Sequence, residues 1–178
     1  MRVFRLLFFV TVLMTSVCAC GNKSKVTGVV VSDDKQPKED KLAPYVEGNK
    51  RIMQWEKEEM ELFIKRYGWD MQRTGTGLYI EILEPGQGDK IQTEQQVSMK
   101  YQTFLLSGEM VYNSETDGIK TFTVDKSEEI DGLHEAVKLL KPGAKARLVI
   151  PPYLAYGVAG DGERINGRLP IAMIIEII

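Results

Sequence analysis

From Val97 to Leu105 the chain alternates: Val97, Met99, Tyr101, Thr103 and Leu105 fall on one face, and Ser98, Lys100 and Gln102 on the other. That period of two predicts a half-buried strand. Leu78 to Leu83 predicts an earlier strand, with Pro85-Gly86 and Gly88 supplying the turn chemistry at its exit. A turn at Ser107-Gly108 returns the chain through Met110 to Ser114, and Thr121 to Val124 reads as a further short strand. Ala146, Leu148 and Ile150 share one face of another strand, and the apolar run Ile171 to Ile178 fits a buried central one. Gly132 to Leu140 predicts a helix of about two and a half turns, stopped by Lys141-Pro142-Gly143. Upstream, Ile52, Met53, Met60, Phe63, Ile64 and Tyr67 recur at helical spacing among charges, so residues 45–67 read as an amphipathic helix. Its stripe is expected to pack on the following domain or on a second copy, with Trp55 near the stripe's edge as core or contact. The sum is an α+β domain over residues 68–178: a strongly bent antiparallel sheet with one short helix on its concave face.

The 178 residues allow one ordinary domain plus extensions, and 43% hydrophobic content is enough for a real core. Residues 1–19 carry Arg2 and Arg5, an apolar run from Leu6 to Met14 and a small-residue stretch, the pattern of an export signal. The run is short for a membrane span, which makes an N-terminal anchor helix the lesser reading. Cys20 follows Val17-Cys18-Ala19, which resembles the bacterial lipobox, so Cys20 is the expected lipidation site. Cys18 would leave with the signal, and the mature chain would hold no thiol pair. Residues 20–44 are polar and mixed in charge apart from Val29 to Val31 and read as a flexible tether. The expected place of the domain is the bacterial cell envelope, exported and held to the outer membrane by lipid.

Lys and Arg number 23 against 25 Asp and Glu, a formal charge of −2; loss of Arg2 and Arg5 with the signal takes it to −4. Nucleic acid is not an expected partner of such a chain.

His134 is the only histidine, which excludes a catalytic triad and a multi-histidine metal site; it reads as a surface or partly buried spectator. Asp161-Gly162-Glu163 lacks the spaced acids of a calcium loop and reads as a turn. Gly75-Thr76-Gly77 precedes a strand and opens no helix, so it is not a dinucleotide loop. Glu56, Glu58, Glu59 and Glu61 read as a solvated helix face. Neither metal nor cofactor is expected. One reaction needs none of these groups. Rotation about a peptide bond faces a barrier of about 18–20 kcal/mol that arises from amide resonance; an apolar pocket with one or two fixed donors lowers it by binding the twisted state.

The run GLHEAVKLLKPGAKARLVIPPYLAYG, residues 132–157, resembles the C-terminal half of FKBP-type peptidyl-prolyl cis-trans isomerases, and the likeness extends over residues 77–178. With its lipobox, the chain is similar to FKBP lipoproteins associated with gliding motility. The resemblance implies an isomerase that helps exported proteins fold, with proline-containing polypeptides as partners. It also implies roles for residues. Tyr156 matches the loop tyrosine whose hydroxyl bonds ligand, Tyr101 an aromatic of the pocket wall, and Glu129 and Ile130 the segment whose main chain bonds ligand, with the Ile130 N–H as donor. Ile165 falls on the overhanging loop, Met173 where the last strand usually offers an aromatic, and Leu133 where many members have a tryptophan floor. Where the family commonly reads Gly-x-x-Phe-Asp-Ser-Ser, this chain has GEMVYNS. Val111 then replaces the aromatic and Tyr112 the acid, or a shift of one puts Tyr112 at the aromatic and Asn113 at the acid. Lys120 replaces a further aromatic, leaving Phe122 as the nearest. These departures leave a binding-only chaperone as the alternative to an enzyme. A structural envelope lipoprotein, docking or dimerising through residues 45–67, is the third reading.

Overall fold

The computed structural model describes residues 43–178. The signal segment, Cys20 and all of the tether but its last two residues lie outside the described residues. A first helix, α1 (Ala43–Tyr67), leads into strands β1 (Gln72–Arg73), β2 (Tyr79–Pro85), β3 (Gln96–Leu105) and β4 (Met110–Asn113). A single-turn helix α2 (Ser114–Asp117), β5 (Lys120–Thr123), α3 (Asp131–Leu139), β6 (Ala144–Ile150), a 3-10 turn (Pro152–Leu154) and β7 (Ile171–Ile177) complete the chain.

Every strand pairing is antiparallel, in the order β1-β2-β6-β7-β3-β4, with β5 also on β3. The last strand is the central one, pairing with β6 on one side and with the C-terminal seven residues of β3 on the other. On its free side β3 takes two short partners in turn: β5 opposite residues 96–99 and β4 opposite 102–104. Bulges interrupt β2 between Ile82 and Glu84, and β4 at Val111, where Thr103 faces Tyr112 but Phe104 faces Met110. Bulges of this kind bend a strand and raise its local twist.

The inner face of the sheet closes on α3. Leu133, Ala136, Val137 and Leu140 pack there with Ile80, Val97, Met99, Leu148, Ile150, Met173 and Ile175. The outer face takes the second half of α1: Met60 and Phe63, each 4% exposed, meet Tyr79, Leu106, Val149 and Ala172. Leu148-Val149-Ile150 and Ile171-Ala172-Met173 are therefore buried on both faces, which is why these strand ends read as continuous apolar runs. Lys65 and Arg66 sit favourably in the last turn of α1. Gly68, at φ 63°, ends the helix with bonds from Gly68 N–H to the Lys65 carbonyl and from Trp69 N–H to that of Ile64. The Trp69 ring then closes edge-on against Phe63, 5.3 Å between centroids.

Of two expectations about α1, packing on the domain holds for part of the stripe and the solvated acidic face requires correction. Of the predicted stripe only Met60, Phe63 and the half-buried Ile64 reach the sheet; Ile52, Met53 and Tyr67 stay exposed, and Trp55 is 63% exposed, because the sheet meets the helix only over its last two turns. Nor are the helix acids one solvated face. Glu56 is buried, 6% exposed, and Glu61 accepts a bond from the Tyr79 hydroxyl at 3.1 Å. The helix is thus pinned by polar as well as apolar contacts.

Candidate functional site

Tyr101 lies on β3 where β5 has ended and β4 has not begun. With no strand partner there, its backbone N–H is accepted by the Ser114 hydroxyl at 3.2 Å. Thr103 shares its face and is buried, so the alternation of β3 sends the half-buried Tyr101 ring toward the inner core. On β4 the extra residue of the bulge lets both Val111 and Tyr112 pack against that same core. Phe122, Leu133, Ile165 and Met173 lie beneath, 5%, 0%, 1% and 3% exposed, and back this surface from within the core.

Tyr156 follows the 3-10 turn and is half-buried. Its phenol is pushed up to about 12, first by burial and then by the Glu129 and Asp161 carboxylates and by Tyr101. Burial likewise raises Tyr101, with Asp117 and Glu129 adding to it. Both rings pack against the same core cluster. Among the described residues neither hydroxyl has a hydrogen-bond partner.

The loop from Tyr156 to Pro170 is folded on itself. Asp161 Oδ1 accepts the backbone N–H groups of Glu163, Arg164 and Ile165 at 2.9, 3.0 and 2.8 Å, while its Oδ2 accepts the Tyr112 hydroxyl. Burial alone would raise the Asp161 carboxyl; the Tyr112 and backbone donors outweigh it and hold the group below its ordinary range. Arg164 lies across the Tyr112 ring, 4.7 Å from its centroid, and donates to the Val111 carbonyl at 2.8 Å. Gly160, at φ 78°, closes the loop where a Cβ would come within 2.3 Å of the Ile165 carbonyl oxygen.

The third wall comes from the β5–α3 connection. Ile130 is the residue before α3, and its carbonyl accepts the first helical N–H groups, from Leu133 and His134. Its own N–H does not point into open space: it donates to Glu129 Oε1 at 3.0 Å. Glu129 Oε2 accepts from Lys120 Nζ at 2.6 Å, and the same ammonium stands 5.4 Å from the centre of the Tyr101 ring. This wall carries an ion pair. A hollow of about 520 Å³ lies on the outer face of the sheet between Lys100, Gln102, Arg147 and Ile174, and Tyr101 is among its lining residues. One of about 620 Å³, between Thr76, His134 and Lys138, reaches Glu129; neither is lined by Tyr156 or Ile130.

His134 departs from expectation. It is 7% exposed and both ring nitrogens are engaged, Nδ1 accepting the Asp125 N–H at 3.0 Å and Nε2 within 3.2 Å of the Ser127 carbonyl. Phe122 meets its ring edge-on at 5.3 Å. It ties the loop that leads to Glu129 and Ile130 down onto α3. Sequence reading also missed Asp161 as an organiser of the site and the pairing of Lys120 with Glu129. The one signal available for the pair was a lysine at an aromatic position with an acid nine residues on.

The arrangement offers no nucleophile and no carboxylate pair. It offers two phenol hydroxyls without partners among the described residues, on an apolar surface, beside a main-chain N–H that Glu129 occupies. Residues 88–178 match the family model described as FKBP-type peptidyl-prolyl cis-trans isomerase. The chain is 38% identical over 105 residues to the FKBP-type peptidyl-prolyl cis-trans isomerase FkpA of Escherichia coli K12, covering 58% of this chain and 37% of that one. To the probable FkpA of Neisseria meningitidis it is 28% identical over 142 residues, 79% of this chain and 52% of the relative. The crystal structure of Escherichia coli FkpA superposes with a TM-score of 0.62 at 29% identity, over 78% of this chain and 64% of that one. That of a peptidyl-prolyl cis-trans isomerase from Pseudomonas syringae superposes with 0.61 at 29%, over 72% and 92%. The chain spans 37% to 52% of the length of these curated relatives. By the match over its C-terminal half and by its fold, the chain belongs to the FKBP-type peptidyl-prolyl cis-trans isomerase family.

Proposed function

We propose that this chain is a peptidyl-prolyl cis-trans isomerase that assists the folding of exported proteins while tethered by lipid at Cys20. The observation that carries the reading is that Tyr101 and Tyr156, whose hydroxyls have no partners among the described residues, pack against the same core cluster as Ile130. A prolyl peptide resting on Val111, Tyr112 and Tyr101, backed by Phe122, Leu133, Ile165 and Met173, leaves water for an apolar surface. That environment disfavours the charge-separated planar amide. Tyr156 and the Ile130 N–H anchor the peptide through its carbonyl oxygens while the C–N bond twists, and the differential binding comes from the apolar surface, which favours the less charge-separated twisted state. No proton changes hands, so raised phenol pKa values suit this chemistry, in which the hydroxyls stay protonated donors throughout.

The test is relaxation of a proline peptide from cis to trans in the presence of the full chain. Acceleration over the uncatalysed tens to hundreds of seconds supports the enzyme; an unchanged rate discards it. Lys120 and Glu129 on the pocket wall favour one second reading, a chaperone that binds prolyl segments without turnover. It predicts suppressed aggregation of an unfolded client by a chain inactive on peptides.

The export signal and the lipobox-like run before Cys20 support a place in the cell envelope at the outer membrane. Radiolabelled fatty acid incorporated by wild type and absent from Cys20→Ser is the expected result; labelling of both would remove the anchor. The exposed Ile52, Met53, Trp55 and Leu62 of α1 support a contact there with a second copy or an envelope partner. A sedimentation mass that stays monomeric, with no partner retained, would remove it.

A further inference from the structure

Two groups that the reaction does not require stand at its centre. Glu129 precedes the donor residue Ile130, and its side chain turns back so that Oε1 accepts the Ile130 N–H at 3.0 Å. The carboxylate oxygen sits where a substrate carbonyl oxygen would have to sit to use that donor. Its other oxygen is held by Lys120 at 2.6 Å, and this pair is largely covered, the side chains being 11% and 24% exposed. Lys120 itself comes from the first residue of β5, opposite Met99, and leans over Tyr101. One ion pair thus covers both the main-chain donor and the face of a wall aromatic.

We infer that the Lys120–Glu129 pair is a built-in competitor of substrate, which must swing off the Ile130 N–H and the Tyr101 ring before a prolyl peptide can be gripped. The inference rests on the isomerase reading of the site. Its physical basis is that a carboxylate is a stronger acceptor than a peptide carbonyl, so a neutral substrate does not displace it without cost. Apparent affinity is then the intrinsic affinity scaled by the fraction of molecules in which the pair is open. Lys120 sets that fraction, because its ammonium fixes the rotamer of Glu129 that reaches back to Ile130. The effect belongs to binding: once the peptide is in place the pair is out of the way, so the change is read in KM.

The experiment compares the full chain with Glu129→Val and Lys120→Met, reading the Ile130 amide proton resonance by NMR and KM on a proline peptide. The pair predicts that the amide moves upfield in Glu129→Val, as expected when a charged acceptor is removed. It also predicts that KM falls in both variants, by about tenfold, equivalent to about 1.4 kcal/mol, the scale of one hydrogen bond. An Ile130 amide that does not move in Glu129→Val, or a KM that stays or rises in both variants, overturns it. If one substitution unfolds the chain, the other still decides. Should wild type and variants all fail to catalyse, the isomerase reading falls, and the amide shift still reports whether Glu129 holds the donor.

Discussion

The hydroxyl of Tyr112, on β4, donates to the Oδ2 of Asp161, in the loop that follows Tyr156. The two residues lie 49 apart in sequence, and the bond from Arg164 to the Val111 carbonyl joins the same two walls. With three backbone donors on its other oxygen, Asp161 decides the shape of the loop. Asp161→Asn keeps the volume but turns one acceptor into a donor, so it should cost about 1–3 kcal/mol of stability and raise KM through a loosened Tyr156. Tyr112→Phe loses only the one bond and should cost about 1 kcal/mol. Thermal melts with peptide kinetics check both; an Asn variant as stable as wild type would contradict the loop's dependence on Asp161.

The Tyr156 phenol is pushed up to about 12, chiefly by burial. Because this lies above the ordinary value of about 10, the fold favours the neutral form. That contribution to stability is complete below about pH 10 and is lost as pH climbs through about 12. A spectroscopic titration of the full chain should therefore show late phenol titration, shared with Tyr79 and Tyr112, whose amplitude falls by one group in Tyr156→Phe. Titration of every tyrosine near pH 10 would contradict the burial of this phenol.

Glu56 is buried on α1, and burial, with Glu59 adding and Arg168 opposing, raises its carboxyl. A raised carboxyl stabilises the fold below its unfolded value of about 4.3 and loses that contribution as pH rises through the folded value. Glu56→Gln should therefore be more stable than wild type at pH 7, by about 0.5–1 kcal/mol, with the gap closing below about pH 4. Denaturant melts at the two pH values check it; a gap that widens in acid would show Glu56 to be usefully paired.

Gly132 opens α3 where a Cβ would lie 2.5 Å from Ile150 Cγ2 and 3.0 Å from the Leu154 carbonyl oxygen. It sets the distance between the Ile130 donor and the turn that carries Tyr156. Gly132→Ala must push α3 off β6, at about 1–3 kcal/mol, and should lower kcat/KM by more than its stability loss explains. The melt and the assay together separate the two effects; unchanged kinetics would mean that this spacing does not position the donors.

Much of the fold was legible because strand alternation survives burial on one face, as it does in Val97 to Leu105. The runs at residues 148–150 and 171–173 read as buried for a reason the sequence hides: α1 covers their second face. How little of α1 is covered was not legible, since its apolar stripe at Ile52 and Met53 has the same spacing as at Met60 and Phe63 and only the length of the sheet beneath separates them. Tyr101, Tyr156 and Ile130 were singled out through motifs. The Lys120–Glu129 pair, the Asp161 hub and the buried His134 were not, because each depends on where a loop returns, and local periodicity carries no information about that. The bulge at Val111 belongs with them: it brings both Val111 and Tyr112 onto the core, which no ungapped register anticipates.

The central claim is that the Tyr156 hydroxyl grips the substrate carbonyl as the prolyl bond turns. The most direct test is kcat/KM of Tyr156→Phe against wild type on one proline peptide, since phenylalanine keeps the ring and its packing and removes only the donor. The account predicts a fall of about tenfold, the equivalent of one hydrogen bond in the transition state, with the melting temperature nearly unchanged. A variant that isomerises the peptide as fast as wild type would contradict it.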